Sequence, residues 1–203
     1  TGLFFLGGQA NAGLPQLVDD LQFQIEYVNI FNIQRIYSHE VIMSKDLRQF
    51  LEVTRGLGPD FYVEVKRPLK SKFEVCVIQE KLAKEGRFPV IYCPNIEGSG
   101  LPLVTNLFGS YEMLGLALDI NPKKLDKSEI IKEFRRREAN AMPPQTVPAS
   151  QAPVKEGILK GKDVDIELLP VIHHQPLDSG KYVDIGFMIC KDPDTGIPNA
   201  GVY

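Results

Sequence analysis

The stretch that decides the fold is residues 181–203, which read KYVDIGFMICKDPDTGIPNAGVY. Residues 181–190 are rich in β-branched and aromatic side chains, and the DPDTG sequence at 192–196 supplies turn-forming residues before a second apolar run. This pattern predicts a β-hairpin. Because an isolated hairpin is only marginally stable in water, we expect the rest of its sheet to lie downstream. We therefore interpret the chain as the N-terminal piece of a longer protein.

The composition excludes several classes of protein. A hydrophobic content of 43% and a charged content of 24% are ordinary for a soluble globular protein, and the net charge of -3 argues against nucleic acid as the main partner. No apolar run reaches the length of a membrane span. Cys76, Cys93 and Cys190 lack metal-ligand spacing and lie in apolar surroundings, so we expect buried, reduced thiols and a cytoplasmic location.

Residues 1–42 differ in amino-acid composition from the rest of the chain. They are rich in Asn and Gln, and Arg35 is the only Lys or Arg before Lys45. A charged sequence with helical apolar periodicity begins at Met43, and Met43 followed by such a helix is typical of the natural start of a protein. We leave 1–42 as an unassigned extension and hypothesise that it is not native. Peptides from 1–42 in mass spectra of the native protein would contradict this hypothesis.

Residues 43–140 alternate between helical and strand patterns, which predicts an α/β unit of about a hundred residues, the size of one small domain. The expected helices are capped by Ser44, by a capping box at 71–74, by Ser110 and by Asp126. The last of these helices should place Ile130, Ile131 and Phe134 on its inner face. Strands are expected at 61–65, 88–92 and 101–104.

Residues 141–152 form a Pro-rich segment without apolar periodicity, which is typical of a linker or an extended arm. From Pro153 onward we predict β-rich structure and the beginning of a second domain at 153–203.

Three motifs admit both a chemical and a structural interpretation. His173 and His174 could ligate a metal only with help from Asp178 or Asp184, and hydrogen-bonded loop histidines are favoured instead. The segment 192–196 begins like a calcium loop but lacks a distant glutamate, so a simple turn is favoured. The Gly-rich segment 95–100 lacks phosphate-loop spacing and is interpreted as a turn between two strands.

Asn199 follows Pro198 and precedes small residues that would let a flat ligand approach the backbone closely. An Asn amide oxygen is a hard, neutral ligand suited to Mg²⁺ or Mn²⁺. The residues alone favour a strand-end Asn that bonds its own backbone and leave the metal-ligand alternative open.

From Leu47 to Tyr203 the chain resembles the UbiD family of decarboxylases, whose known members use prenylated FMN. Four segments carry the resemblance, in the expected order: DLRQFLEV (46–53), NIEGSGLPLVTNLFGS (95–110), APVKEGILKGKDVDIELLPV (152–171) and DSGKYVDIGFMICKDPDTGIPNAGVY (178–203). The resemblance implies an α/β (α+β) N-terminal domain followed by the first strands of a β-rich split-barrel flavin-binding domain.

The resemblance also assigns roles to the last residues of the chain. Asn199 is implied to be a ligand of the divalent metal that bridges to the flavin phosphate. Ala200, Gly201, Val202 and Tyr203 are implied to line the prenylated flavin. The catalytic residues are expected beyond Tyr203, so the chain alone should be inactive. The implied cofactors are prenylated FMN and Mn²⁺ or Mg²⁺, with K⁺ as a further candidate.

The function implied is reversible removal of CO₂ from an aromatic or α,β-unsaturated carboxylic acid through a covalent adduct with the prenylated flavin. Implied partners are the carboxylic acid substrate, a flavin prenyltransferase that supplies the cofactor, and further copies of the full-length chain in a homo-oligomer. Two alternatives remain: a non-catalytic split-barrel module that binds ordinary FMN, and an assembly subunit of a carboxylase complex.

Overall fold

A computed structural model describes residues 46–143, 145–183 and 186–202 of the chain. The predictions for residues 1–42 and for Tyr203 therefore lie outside the described residues. The helices and strands, numbered here in chain order, are α1 (Leu47–Leu57), β1 (Tyr62–Glu64), α2 (Glu74–Lys84), β2 (Val90–Cys93), β3 (Leu103–Thr105), α3 (Tyr111–Ala117), α4 (Lys127–Glu138), β4 (Phe187–Lys191) and β5 (Pro198–Val202).

Local caps fix the limits of α1. The Asp46 carboxylate accepts a hydrogen bond from the backbone N–H of Gln49 at 2.8 Å, and the Gln49 side chain accepts one from the Asp46 N–H. This reciprocal pair is a capping box, so the predicted N-cap at Ser44 is wrong. The helix ends before Gly58, whose φ of 101° lies in the left-handed region that glycine tolerates.

A three-stranded mixed sheet forms the centre of the first domain. Strand β1 pairs parallel to β2, and β2 pairs antiparallel to β3, in the order β1-β2-β3. Parallel neighbours require a crossover connection, and α2 provides it. The sequence patterns predicted three strands in these positions but not how they pair, and the strands are shorter than predicted.

Apolar residues cover both faces of this sheet, giving three layers. On one face, α2 packs Val75 and Ile78 against a core that includes Val63 and Ile91. On the other face, α1 and α3 pack around Val90. That second cluster contains Phe50, Val90, Met113 and Leu116. Burial of both faces explains why the short β2 is almost entirely apolar.

The start of α2 differs from the prediction. Its N-cap is Phe73, which has a φ of 69° and makes no capping hydrogen bond through its side chain. Glu74, the expected partner in a capping box, instead accepts from the backbone N–H of Lys70 and the guanidinium of Arg67. The helix does stop as predicted at Gly86, where φ is 72°.

The last helix of the domain, α4, begins after Asp126 as predicted and has no buried residue. Ile131 and Phe134 are 59% and 60% exposed, so their predicted placement on a buried inner face is wrong. Polar contacts hold the helix to its neighbours instead. The Arg137 guanidinium donates to the backbone carbonyl of Leu118 at 2.7 Å, and the Lys127 ammonium lies 4.2 Å from the centre of the Tyr111 ring.

Residues 153–183 are less regular than the predicted β-rich structure. Short 3₁₀ turns occur at Pro153–Lys155, Gly161–Asp163 and Ile166–Leu168, and the β structure there consists of isolated bridges. Ile172 is buried in the same core as α2. The hairpin predicted from residues 181–203 is confirmed as β4 and β5, joined by the expected turn.

Candidate functional site

The candidate site lies on the hairpin, which contains the predicted cofactor residues 199–202. The two strands pair antiparallel in a single register, which places five residue pairs directly opposite each other: Phe187 with Val202, Met188 with Gly201, Ile189 with Ala200, Cys190 with Asn199, and Lys191 with Pro198. Because successive residues of a strand point to opposite faces, this register determines which side chains share a face.

The turn that joins the strands is closed by Asp192. Its Oδ1 accepts hydrogen bonds from the backbone N–H groups of Asp194 and Thr195, at 3.0 and 2.6 Å, and from the Thr195 hydroxyl at 2.9 Å. These bonds, led by the Thr195 N–H, lower the pKa of the Asp192 carboxyl. The Asp192 carboxylate thus stabilises the turn that it belongs to, as the simple-turn interpretation predicts.

The structure places Asn199, Ala200 and Gly201 together on β5. Asn199 and Ala200 are exposed, and Gly201 is half-buried. Val202 is the last residue of β5. Asn199 and Gly201 share one face of the hairpin because they are two residues apart, and Ala200 lies on the other. The exposed side chain of Asn199 therefore lies on the face where Gly201 contributes no side chain.

A divalent cation is chemically compatible with Asn199, whose amide oxygen is a hard donor. Mg²⁺ takes six oxygen ligands, and one side chain supplies only one of them. Among the described residues there is no group of three or more His, Cys, Asp or Glu side chains that could hold a metal. A metal at Asn199 would therefore take its other ligands from phosphate, water and residues outside those described.

The two adjacent histidines are not part of this site. His173 exchanges backbone hydrogen bonds with the segment that precedes α2: its N–H donates to Ser71, and its carbonyl accepts from Phe73. The nearby carboxylate of Asp178 accepts from the backbone N–H of Gln175 at 2.9 Å. His173 therefore has a structural role through its backbone, but its imidazole Nε2 is buried and has no hydrogen-bond partner among the described residues, which differs from the predicted hydrogen-bonded side chain.

The three cysteines differ in their surroundings. Cys93 is buried, and burial raises the pKa of its thiol to about 12. Cys76 is half-buried. Cys190 is exposed, so the prediction of a buried thiol is wrong at this position. Cys190 was not among the predicted site residues, although it lies directly opposite Asn199. The sequence predicted a hairpin, and only the observed pairing fixes this register.

The Gly-rich segment 95–100 connects β2 to β3, as predicted, and serves as a structural junction. The Asn95 side chain donates to the carbonyl of Lys66 at 2.8 Å, and the Ser99 hydroxyl donates to the carbonyl of Leu168 at 2.7 Å. Ile96 is buried in the core. These contacts hold distant segments of the chain together.

An apolar groove lies between α3 and α4, away from the hairpin residues described above. Its volume is about 470 Å³, and its lining includes Phe108, Leu114, Ile131 and Phe134. Arg135 and Glu138 are the charged residues at its edge. Across the described ranges, none of the helices is both long and apolar enough to cross a membrane.

Comparison with known families and proteins gives consistent matches. Residues 60–137 match the family model described as 3-octaprenyl-4-hydroxybenzoate carboxy-lyase N-terminal domain. Residues 145–203 match the model described as 3-octaprenyl-4-hydroxybenzoate carboxy-lyase Rift-related domain. The two models, which describe domains of one enzyme family, together match more than half of the 203 residues.

Among curated relatives, an uncharacterized protein of Aquifex aeolicus is 30% identical over 176 residues, covering 78% of this chain and 35% of that protein. The phenolic acid decarboxylase of Sedimentibacter hydroxybenzoicus is 28% identical over 165 residues, covering 78% of this chain and 34% of the enzyme. The chain thus spans about a third of the length of these relatives.

Solved structures share the fold. The vanillic acid decarboxylase of Sedimentibacter hydroxybenzoicus in its open form matches with a TM-score of 0.68 and 27% identity, covering 79% of this chain and 34% of the enzyme. The UbiD-class enzyme HmfF of Pelotomaculum thermopropionicum, in complex with prFMN, matches with a TM-score of 0.65 and 24% identity, covering 78% of this chain and 35% of the enzyme.

Proposed function

Because this chain belongs to the UbiD family of carboxy-lyases, we propose that it is the N-terminal part of a decarboxylase dependent on prenylated FMN. The reaction is the reversible removal of CO₂ from an aromatic or α,β-unsaturated carboxylic acid. The observation that carries the proposal is the ordered match of both family domains, at 60–137 and 145–203. The relative described as a phenolic acid decarboxylase supports an aromatic acid as the substrate class.

The hairpin supplies the part of the cofactor site that this chain contributes. Asn199 would hold Mn²⁺ or Mg²⁺ through its amide oxygen, beside the phosphate of the flavin. Gly201 has no side chain, so its backbone would lie against the cofactor, together with Ala200, Val202 and Tyr203. A dianionic phosphate favours a hard cation and nearby backbone N–H groups, and a strand of small residues can provide both.

The prenylated flavin, when bound, supplies the electron sink for the loss of CO₂. The residues of this chain bind and orient it, and the groups that move protons are proposed to lie beyond Tyr203. The 203-residue chain alone should therefore release no CO₂. The split-barrel architecture of the second domain, the domain limits near residue 150, a role for K⁺, a homo-oligomeric full-length enzyme and a cytoplasmic location are part of the same proposal.

The experiment that tests this function uses the full-length protein, produced together with a flavin prenyltransferase and supplied with Mn²⁺. It is incubated with a panel of phenolic and cinnamic acids, and CO₂ release and exchange of labelled bicarbonate into the carboxyl group are measured. We expect release and exchange from at least one aromatic acid. The same protein loaded with unmodified FMN is the matched control and should release none.

Two results would contradict the proposal. The first is neither release nor exchange from any acid by protein that carries the prenylated flavin. The second is tight binding of ordinary FMN that does not change when Mn²⁺ and Mg²⁺ are removed. The second result would favour a split-barrel module that binds FMN for redox chemistry.

A further inference from the structure

The two faces of the hairpin differ in chemistry. The pairing of β4 with β5 places Met188, Cys190, Asn199 and Gly201 on one face, since residues two apart share a face and directly opposed residues do too. We call these four residues the sulfur face. In this protein the two sulfur-bearing side chains of the hairpin thus lie on the same side as the candidate metal ligand.

The opposite face is aliphatic at its centre and carries Lys191 at the end next to the turn. It carries Ile189 and Ala200, which oppose each other across the strands, and Ile189 is 78% exposed in the described structure. An aliphatic side chain this exposed indicates a surface that further parts of the protein cover. The aliphatic face is therefore suited to the interior of the barrel, which leaves the sulfur face for a ligand.

Along the sulfur face, the candidate metal ligand and the glycine lie two residues apart on β5. Cys190 opposes Asn199, the candidate ligand of the metal at the phosphate end. Met188 opposes Gly201, one step further along the strand toward the proposed position of the ring system. Directly opposed side chains have Cβ atoms about 4.5–5.5 Å apart, so a group bound at Asn199 would also cover the thiol of Cys190.

The pairing of Met188 with Gly201 favours a flat aromatic group at that position. Gly201 has no side chain, and the Met188 side chain opposite it is 58% exposed. A thioether adapts its shape to a neighbouring ring and makes favourable sulfur–aromatic contacts. No other side chain of the described hairpin shares this part of the sulfur face.

We propose that Met188 and Cys190 are cofactor-contacting residues of the flavin site, with the thioether against the flavin ring system and the thiol beside the metal and phosphate. This inference rests on the proposed function, and it adds two residues to the site. The thiol and the thioether bind and shield the cofactor and take no part in bond making.

The test measures how fast iodoacetamide alkylates Cys190 in the flavin-free and metal-free full-length protein, with peptide mass spectrometry to locate the label. FMN with Mn²⁺ is the probe, and Mn²⁺ alone is a second condition. We expect FMN with Mn²⁺ to slow alkylation of Cys190 at least tenfold. In parallel, Met188→Ala should weaken FMN binding by about two- to twelvefold, the range expected for a sulfur–aromatic contact, with Mn²⁺ binding unchanged.

The matched control is a thiol on the other face. In a Cys190→Ser background, Lys191→Cys places the thiol one residue further along the same strand, opposite Pro198. Its alkylation rate should not change when FMN and Mn²⁺ are added.

Three outcomes overturn the inference. If FMN binds, as shown by quenching of its fluorescence, and Cys190 is not protected, the sulfur face is not the cofactor face and the proposed function stands. If the thiols at 190 and 191 are protected equally, the slower alkylation reflects a general loss of accessibility and not contact with the cofactor. If FMN does not bind at all, both the inference and the proposed function fail.

Discussion

The imidazole ring of His173 meets the phenyl ring of Phe73 edge to face, with their centroids 4.9 Å apart. Around this contact, a parallel β-bridge joins Lys72 to His173. Phe73 is also the residue at which the backbone takes a φ of 69° before α2 begins. The ring contact therefore stabilises an unusual backbone conformation at a helix start, through a residue a hundred positions later in the chain.

The first prediction concerns the energy of this contact. His173→Ala in the full-length protein should lower the free energy of unfolding by about 1–2 kcal/mol, because an aromatic pair and part of the local packing are lost. The Nε2 atom of His173 is buried and has no hydrogen-bond partner among the described residues. Hence His173→Phe, which keeps the ring and removes the nitrogen, should cost less than His173→Ala.

Urea unfolding of the wild type and both variants gives these free energies. Equal destabilisation by His173→Phe and His173→Ala would show that the imidazole nitrogen contributes more than the ring contact, contrary to this prediction.

Much of the first domain could be predicted because its signals are local. Ser110 and Asp126 cap α3 and α4 through their own side chains, as expected from residues within three positions of each helix start. Gly58 and Gly86 both lie at positive φ where helices end. The hairpin turn at Asp192 is also local, since its hydrogen bonds come from residues 194 and 195.

The failures have long-range causes. The first turn of α2 depends on Phe73 and on the distant His173, so the capping box expected at 71–74 does not form. The apolar period of α4 indicated a buried face, yet Phe134 is 60% exposed and lines the open groove between α3 and α4. Periodicity shows that a helix has an apolar face, and it does not show what packs there.

The candidate site was predicted in part. The position of Asn199 on a strand followed from the hairpin pattern, and its role as a metal ligand rests on family resemblance and stays a prediction. The neighbour of Asn199 depends on strand register. Only a pairing that is fixed residue by residue brings Cys190 opposite Asn199.

The second prediction concerns Glu133 of α4, a half-buried residue with two exposed arginine partners. Its carboxylate accepts hydrogen bonds from Arg136 and Arg137, and these bonds lower its pKa from an ordinary value of 4.5 to about 2. A lowered pKa means that the folded state binds the proton less readily than the unfolded state. The stabilising effect is therefore fully present above pH 4.5 and is lost as the pH falls toward 2.

Amide hydrogen exchange of α4 between pH 5 and pH 2.5 would measure this effect, after correction for intrinsic exchange rates. We expect Glu133→Gln to make the stability of α4 less dependent on pH across this range. Glu138→Gln removes the same charge from the end of the same helix and should leave the pH dependence unchanged. The effect should be small and should weaken in high salt, because the ion pairs are exposed.

The third prediction concerns the different reactivities of the thiols. Burial raises the pKa of Cys93 to about 12, so almost none of its thiolate forms near neutral pH. In the cofactor-free native protein at pH 8, iodoacetamide should label the exposed Cys190 within minutes and leave Cys93 unlabelled for hours. Labelling in denaturant is the control, and both thiols should then react. Native labelling of Cys93 at a rate similar to Cys190 would mean that β2 opens readily.

The fourth prediction separates cofactor binding from folding at Asn199. Asn199→Ala in the full-length protein should lower Mn²⁺ affinity by at least about tenfold. Removing a group that only hydrogen-bonds to a metal ligand typically lowers affinity by about tenfold or more, and removing a ligand itself should cost no less. The side chain is exposed on β5, so removing it leaves the packing of the hairpin intact. We therefore expect an unfolding midpoint for the cofactor-free protein within the range of ordinary surface substitutions.

Metal analysis and flavin absorbance of purified Asn199→Ala give the occupancies, and Asn199→Asp serves as the matched variant. Asp keeps an oxygen at the same position and adds a negative charge, which favours the cation and disfavours the flavin phosphate. We expect Asn199→Asp to retain Mn²⁺ better than Asn199→Ala while it holds flavin less well than the wild type. Full metal and flavin occupancy in Asn199→Ala would show that the amide oxygen is not a ligand. The hairpin would then contact the cofactor through its backbone alone.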